Sequence, residues 1–260
     1  MARPRSRTRT PAMASDPNAE DYELLLPAEQ SGELSKARGQ EDQLASEGRK
    51  GDTVAMYLAL SGAALFMTIT WVIVLVNSPL NWGWFAFHPL LQSLAMFLFT
   101  YGILTLQPTS QPKTKAAGLA RHQYAILLAG FPAIFLGTSA VWYNKFAEGA
   151  SHFKSWHGKL GIISLGWICI QVLLGGGSVW FGGAAFGGGS KAKAIWKYHR
   201  LSGYVLFGLL TFTSHLGGGW SNWGNKYSPL SMRIVAYWIA LVACISGLYM
   251  RLRPSKMKFY

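Results

Sequence analysis

Residues 54–76 read VAMYLALSGAALFMTITWVIVLV, a run of 23 residues without one charged side chain. The hydrocarbon core of a bilayer is about 30 Å thick, and an α-helix needs roughly 20 apolar residues to cross it. The run is therefore long enough to form a transmembrane helix. The whole chain has 260 residues, of which 50% are apolar. A soluble domain of this length rarely averages so apolar, which also points to a membrane protein.

Five further runs of the same kind follow toward the C-terminus. They cover approximately 85–106, 122–143, 157–180, 196–217 and 232–250. The sequence therefore predicts an all-α membrane protein with six transmembrane helices over residues 54–260. An even number of spans returns the C-terminus to the side of the membrane on which the N-terminus lies.

Residues 1–53 differ in kind from the rest of the chain. They contain 8 basic and 10 acidic residues, whereas residues 54–260 contain 16 basic residues and one acid, Glu148. The segment is rich in Arg, Ser, Pro, Glu and Gly and has no sustained apolar period, so it buries too little surface to offset its ordering entropy. It is predicted to be a disordered cytosolic tail. Within it, EDYELLLP at 20–27 resembles an acidic dileucine sorting signal, with a chance occurrence as the alternative.

Basic residues are distributed unequally between the loops on the two sides. The N-terminal side carries thirteen: Arg49, Lys50, Lys113, Lys115, Arg121, Lys191, Lys193, Lys197, Arg200, Arg251, Arg253, Lys256 and Lys258. The opposite side carries five: Lys145, Lys154, Lys159, Lys226 and Arg233. The positive-inside rule then predicts that both termini are cytosolic. Because positive charge at the ends of membrane spans accounts for the basic composition, nucleic acid is not expected as a partner.

Four of the six histidines stand at the first turn of a predicted span. They occur in the contexts FAFHPLLQ, ARHQYAIL, SWHGKLGI and KYHRLSGY, as His88, His122, His157 and His199. Spans two and four begin on the far side of the membrane, so His88 and His157 share one layer. Spans three and five begin on the cytosolic side, so His122 and His199 share the other. An ionisable residue in a membrane helix is a candidate functional residue.

Two histidines on different helices at one depth suit bis-imidazole ligation of a haem iron in a four-helix bundle, here formed by spans two to five. Gly161 and Gly203, one turn deeper on the same helix faces, would leave room for a flat macrocycle. The chain has no C-x-x-C-H motif, so the expected cofactor is haem b, two per chain. An interfacial anchor is the alternative for any single histidine. Zinc is the rival metal, but only two protein ligands are available in each layer where structural zinc wants four.

This pattern resembles the cytochrome b561 family, especially its short members with one b561 domain and little else. The resemblance rests on the four histidines in the contexts FHP, RH, SWHG and YHRLSGY, and it extends over about residues 54–250. It implies that His88 and His157 hold a non-cytosolic haem and that His122 and His199 hold a cytosolic one. It also implies electron transfer from cytosolic ascorbate across the membrane to monodehydroascorbate or ferric iron.

The two remaining histidines have different expected roles. His152 lies five residues before His157, and a histidine at this spacing resembles one in short b561 relatives, where it could help an acceptor meet the far haem. An ordinary exposed loop histidine is the alternative. His215 lies about 24 Å along the helix from His199 and is expected to be an interface anchor, with ligation in the far layer in competition with His88 or His157 as the alternative.

Basic residues near the cytosolic pair are candidates for the donor site. Lys193 and Lys197 precede His199 by six and two residues, and Arg121 adjoins His122, so an anionic reductant would meet positive charge there. A purely topological role is the alternative for each of them. Three GGG runs, at 175–177, 187–189 and 217–219, are interpreted as flexible loop segments.

The resemblance thus implies a transmembrane ascorbate-dependent ferric or monodehydroascorbate reductase, and we expect it in an endomembrane, of the endoplasmic reticulum, an endosome or a vacuole. The expected partners are ascorbate, monodehydroascorbate or a ferric chelate, and the lipid bilayer, with a homodimer as one alternative for the oligomeric state. Two other functions stay open. One is a b-type haem anchor subunit that relays electrons to a partner protein. The other is a haem-free membrane transporter or interaction protein whose histidines are structural.

Overall fold

Residues 48–107 and 111–257 are described in a computed structural model of the chain, and no β-strand occurs in these two ranges. Six long helices follow one another: α1 Asp52–Val76, α2 Phe87–Leu104, α3 Pro112–Ala147, α4 Trp156–Val179, α5 Gly189–Gly219 and α6 Leu230–Met250. The predicted all-α class is therefore confirmed. The tail up to residue 47, including the EDYELLLP motif, and Lys258 lie outside the described residues.

Five of the helical segments are long and apolar enough to cross a membrane. They are Asp52–Val76, Pro79–Leu104, Pro112–Ala147, Trp156–Phe186 and Leu230–Met250. The predicted fifth span, 196–217, lies within α5, which has 31 residues but is more polar than the others. Its first turns carry four basic residues and its last turns are rich in Thr, Ser and Gly. The chain is thus a multi-pass helical membrane protein, with five spans supported by length and composition.

Helices α3 and α5 begin before the predicted spans, by ten and seven residues respectively. Pro112 stands at the start of α3, where its missing N–H needs no partner. His122 and His199 are consequently each the eleventh residue of their helix and not in its first turn. Polar and basic residues can extend a helix beyond the apolar run, because a helix does not end where the hydrocarbon does.

Shorter helical elements join or interrupt the long ones. They are the 3-10 helices Pro79–Ala86, Trp180–Phe186 and Pro254–Met257, the helix Asn222–Tyr227, and the π-helical segments Tyr124–Gly130 and Val235–Ile239 inside α3 and α6. The first π-helical segment ends at Gly130, two residues before Pro132. Pro132 cannot donate to the carbonyl of Leu128, and its ring crowds that carbonyl, so a widened turn is favoured there.

Helix α1 packs against α6 with the two backbones in close contact. A Cβ atom added to Gly62 would lie 2.5 Å from the Ala240 carbonyl oxygen, and one added to Gly247 would lie 2.5 Å from that of Ala55. Small residues allow such an approach between membrane helices. The same two helices join α2 and α5 around an apolar core that includes Phe66, Phe99 and Phe207. Within the remaining bundle, α2 packs chiefly on α3, and α4 chiefly on α5.

Two of the three GGG runs are helical, so their interpretation as loop segments was wrong. Residues 175–177 lie in α4 and residues 217–219 end α5, whereas 187–189 do form a turn with positive φ angles before α5. In the helical runs, side chains of neighbouring residues fill the space that a Cβ would occupy. Close packing, and not flexibility, therefore accounts for these glycines.

Candidate functional site

Four histidines form two pairs at opposite ends of the α2–α5 bundle. The ring centroids of His88 and His157 lie 5.8 Å apart, and those of His122 and His199 lie 6.3 Å apart. All four side chains are half-buried. These are the same two pairs that the predicted order of the helices places in the two layers.

Local hydrogen bonds position His88 and His157, which we call the far pair. Ser155 is the N-cap residue of α4, and its hydroxyl accepts a hydrogen bond from the Gly158 backbone N–H at 3.1 Å, which fixes the turn that carries His157. On the other side, the backbone N–H of Phe85 donates to the side-chain oxygen of Asn144 at 3.2 Å. This bond ties the segment before His88 to α3.

Backbone carbonyl groups orient three of the four imidazole rings. Nδ1 of His88 donates to the carbonyl of Gly137 at 3.0 Å, and Nδ1 of His122 donates to that of Gly102 at 3.0 Å. Nδ1 of His157 donates to the carbonyl of Thr213 at 2.9 Å. A carbonyl only accepts, so the proton belongs on Nδ1 and each Nε2 keeps its lone pair. Histidines that bind metals usually donate a hydrogen bond from their second ring nitrogen in this way.

The fourth ring, that of His199, is held less tightly. Its Nδ1 is buried without a hydrogen bond of normal geometry to the described residues, and the Gln171 carbonyl is the acceptor on that side. Gln171 itself donates to the hydroxyl of Ser202. The side chain of His199 thus lies at a polar contact between α4 and α5.

The geometry of both pairs fits one metal ion between the two rings. A metal–imidazole bond is about 2 Å long, and the bound nitrogen lies about 1 Å from the centre of its ring. Two imidazoles on opposite sides of one metal ion therefore have ring centres about 6 Å apart. The rings are nearly perpendicular, at 81° for the far pair and 84° for the other, which rotation about each nitrogen–metal bond permits. Space is also present: a Cβ on Gly161 would meet its first neighbour only at 4.0 Å, and one on Gly203 at 3.5 Å.

Glycine allows two of the histidine rings to occupy their positions. A Cβ added to Gly217 would lie 2.6 Å from Cε1 of His157, and one added to Gly175 would lie 2.9 Å from Cε1 of His199. Sequence reasoning missed both glycines. A signal was present, because the GGG runs at 175–177 and 217–219 each begin 18 residues after a histidine on the same helix. Eighteen residues make five helical turns at 3.6 residues per turn, so the histidine and the glycine lie on one face.

A cavity of about 230 Å³ lies beside His122 and His199. Four basic side chains line it: Lys115, Arg200, Arg253 and Lys256. Lys115 is only 6% exposed although its ammonium is a charged group. In the sequence these residues indicate only the orientation in the membrane, because they come together only through the fold.

The predicted donor-site residues lie close by in the chain but outside that lining. Lys193 and Lys197 are half-buried in the first three turns of α5, and the Lys197 ammonium lies over the Tyr198 ring, 5.3 Å from its centroid. Arg121 is exposed on α3. The three residues add positive charge to the same end of the bundle as the cavity.

The far pair is flanked by an aromatic cluster. The ring centroid of Phe85 lies 6.2 Å from that of His88 and 6.3 Å from that of Trp223. Trp82 contacts both Trp223 and Tyr227, at 6.0 and 4.6 Å. These aromatic side chains line a second cavity of about 310 Å³ together with Asn144, Lys145 and Glu148.

The other two histidines are placed differently. His152 is half-buried and stacks on Trp142 of α3, with 5.4 Å between the ring centroids. His215 uses both ring nitrogens: Nδ1 donates to the Tyr237 carbonyl at 2.8 Å, and Nε2 accepts from the Trp220 indole at 2.8 Å. No lone pair of His215 is left for a metal, which agrees with the expected anchoring role.

Comparison with known proteins shows which family this fold and these histidines represent. The sequence profile of eukaryotic cytochrome b561 matches residues 86–223, which include α2 to α5 and all four paired histidines. The chain belongs to the cytochrome b561 family. It is also 30% identical over 148 residues to the transmembrane reductase CYB561D2 of Bos taurus and to that of Homo sapiens. Each match covers 54% of this chain and 62% of the relative's length.

Membership of the cytochrome b561 family implies that the chain binds haem b. Within the two described ranges, no group of three or more His, Cys, Asp and Glu side chains comes together. A structural zinc ion would need such a group, whereas a haem iron takes four of its ligands from the porphyrin and needs only two from the protein. The chemistry of the paired histidines therefore fits haem. In a membrane oxidoreductase, their free Nε2 atoms are the groups that would face the iron.

Proposed function

We propose that the chain is a two-haem transmembrane reductase that accepts electrons from cytosolic ascorbate. It delivers them on the opposite side to monodehydroascorbate or a ferric chelate. The observation that carries the proposal is the presence of two histidine pairs, each with ring centroids about 6 Å apart, at the two ends of one bundle. The relatives' description as transmembrane reductases supports the same class of activity.

His88 and His157 hold one haem in this proposal, and His122 and His199 hold the other. A haem held between two imidazoles would supply one-electron redox chemistry. The protein supplies the placement. The carbonyls of Gly137, Gly102 and Thr213 keep three of the rings in the tautomer whose Nε2 can bind a metal.

The basic residues at the end of the bundle near His122 bind and attract the anionic donor. Lys115, Arg200, Arg253 and Lys256 line the cavity beside the pair, where partial burial strengthens their attraction for an anion. Lys193, Lys197 and Arg121 add positive charge at the same end and raise the local concentration of ascorbate. Among the described residues that line the cavity, none is a carboxylate.

At the other end, the aromatic cluster and His152 border the far pair. Phe85 and Trp223 separate His88 from the second cavity, and Lys145 and Glu148 contribute one charge of each sign to its lining. His152, stacked on Trp142, lies in the loop that leads into His157. We assign this end to the acceptor.

The orientation follows from the basic residues of the loops. Thirteen on one side against five on the other place both termini in the cytosol by the positive-inside rule. The ascorbate side is then the side of His122 and His199. The membrane is an endomembrane in this proposal, and the segment before α1 is cytosolic.

Substitution of single histidines tests the proposal. His88→Ala and His157→Ala should remove the same haem, and His122→Ala and His199→Ala should remove the other, because each haem loses one of two axial ligands. Haem would be quantified per folded chain, and the two components followed in reduced-minus-oxidised spectra. Wild-type protein should contain two haems, both low-spin. The control is His215→Ala. Both ring nitrogens of His215 make other hydrogen bonds, so this variant should keep two haems.

One haem per folded chain would contradict the proposal. The pairing would be contradicted if the His88 and His122 variants lost the same spectral component while the His157 variant kept it. Each variant must elute as a single species at wild-type yield, so that haem loss through misfolding is excluded.

A further inference from the structure

The chain after α6 lies across the cavity beside His122 and His199. We call residues 251–257 the C-terminal strap. Two of its side chains, Arg253 and Lys256, line that cavity. Its backbone is also held, because Nη1 of Arg200 donates to the Lys256 carbonyl at 3.1 Å. The strap thus supplies two of the four basic groups of the cavity, although it belongs to none of the four helices that carry the histidines.

A second attachment fixes the strap to the start of α1. Nη2 of Arg253 lies 2.9 Å from Oδ2 of Asp52, and Asp52 is only 6% exposed. Arg49 contacts the other carboxylate oxygen of Asp52 at 3.2 Å and donates to the Met250 carbonyl at 3.0 Å. The carboxylate is therefore bound on both sides, and the start of α1 is joined to the end of α6.

Asp52 is well suited to set the position of Arg253. From residue 52 onward the chain has one other acid, Glu148, which lines the second cavity at the opposite end of the bundle. Arg49, Arg251 and Arg253 surround Asp52, and Arg251 is 4% exposed. Removing the carboxylate would leave partly buried like charges next to one another, which is strongly unfavourable. The strap would then move away from α1.

We propose that Asp52 is a positioning residue of the donor site, which holds Arg253 and the strap over the cavity so that Arg253 and Lys256 bind the anionic donor. The inference rests on the proposed function, because it needs a donor that is an anion and enters next to His122 and His199. It adds a residue outside the histidine bundle, and a segment after the last helix, to the machinery that recognises the donor.

The test is Asp52→Asn in the full-length, haem-loaded protein. Losing one fixed positive group from the cavity should raise KM for ascorbate about five-fold, with a smaller change in kcat. Reduction by an uncharged hydroquinone should be unaffected, since it gains nothing from the cations. Backbone amides of the strap should exchange hydrogen for deuterium faster in the variant. Haem content and spectra should stay as in the wild type, because α2 to α5 hold the histidines.

Three further variants separate positioning from a general loss of stability. Asp52→Glu keeps the charge and should recover most of the ascorbate KM, and Lys50→Gln is an exposed neighbouring change that should leave it unaltered. Arg253→Gln should raise KM as Asp52→Asn does. The double variant should then be no worse than either single one, because both remove the same interaction.

An unchanged KM in Asp52→Asn, additive effects in the double variant, or equal slowing with the uncharged hydroquinone would each overturn the inference. If Asp52→Asn does not fold, Arg253→Gln and Asp52→Glu carry the same comparison, and an unchanged KM in Arg253→Gln overturns it. The proposed function fails differently: wild-type protein with its haem would then not be reduced by ascorbate at all.

Discussion

Gly175 and Gly217 adjoin the rings of His199 and His157 and leave the space that these two rings occupy. Substituting alanine at Gly217 would place a Cβ 2.6 Å from the ring of His157, and at Gly175 one 2.9 Å from the ring of His199. The rings must move, so we expect Gly217→Ala to weaken retention of the far haem and Gly175→Ala that of the cytosolic haem. Changes around metal ligands cost about ten-fold or more in metal affinity. Haem retention during dilution, followed by absorption spectra, measures the effect.

Gly166 provides the matched control on α4, because a Cβ there would meet nothing within 4 Å. Gly166→Ala should keep both haems, and its helix should be slightly stabilised, since alanine favours the helix more than glycine does. If Gly175→Ala and Gly217→Ala both lost the same haem, the assignment of each glycine to one histidine would be wrong.

Among the helices, the contact between α1 and α6 gives a separate prediction about stability. Gly62→Ala and Gly247→Ala each place a Cβ about 2.5 Å from a backbone oxygen of the other helix. Backbone atoms cannot turn aside as a side chain can, so the two helices must separate. Overpacking of this kind costs about 1–3 kcal/mol of unfolding free energy. Thermal unfolding in detergent should therefore begin several degrees lower.

Both haems should be retained by these variants below the unfolding temperature, since α1 and α6 carry none of the paired histidines. Gly166→Ala again serves as the control with an unchanged or higher Tm. A wild-type Tm in both Gly62→Ala and Gly247→Ala would show that α1 and α6 do not depend on this close approach.

The helices themselves were predictable from the sequence, and their ends were not. Long apolar runs identify a span because a membrane leaves few other structures for such a chain. The starts of α3 and α5 were placed too late, because residues 112–121 and 189–195 are polar and hydropathy does not report on helix beyond the hydrocarbon. Helix order also paired the histidines correctly in space. The contacts of Gly175 and Gly217, and the basic lining of the cavity, depend on which helix faces are adjacent, which no single run of sequence contains.

At the scale of the whole molecule, the unequal charge of the two sides predicts how the donor arrives. Lys193 and Lys197 lie at the N-terminal end of α5, which is also the end next to the cavity beside His199. Lys193→Ala combined with Lys197→Ala should slow reduction by ascorbate several-fold without loss of haem. Each charge at such a partly exposed position contributes about 1 kcal/mol or less, so abolition is not expected. The residual rate should also depend less on salt concentration.

This double variant is measured in vesicles of known orientation, with ascorbate on the cytosolic face and a ferric chelate on the other. The exposed Lys113→Ala is a useful comparison for the loss of one topological charge without a change in α5. An unchanged rate and salt slope would remove Lys193 and Lys197 from the approach of the donor. Reduction only from the opposite face would reverse the direction of electron flow.

Helices α4 and α5 contact each other at two equivalent points. His157 on α4 faces Gly217 on α5, and His199 on α5 faces Gly175 on α4. Each glycine follows the histidine of its own helix by 18 residues. Sliding either helix by one turn would bring a residue with a side chain into the place of each glycine, so the register is fixed at two points. The two histidine pairs are therefore about 27 Å apart along the helix axis, since 18 residues advance 1.5 Å each. A thinner or thicker bilayer can tilt this helix pair as a unit, yet it cannot stretch the distance over which an electron must travel.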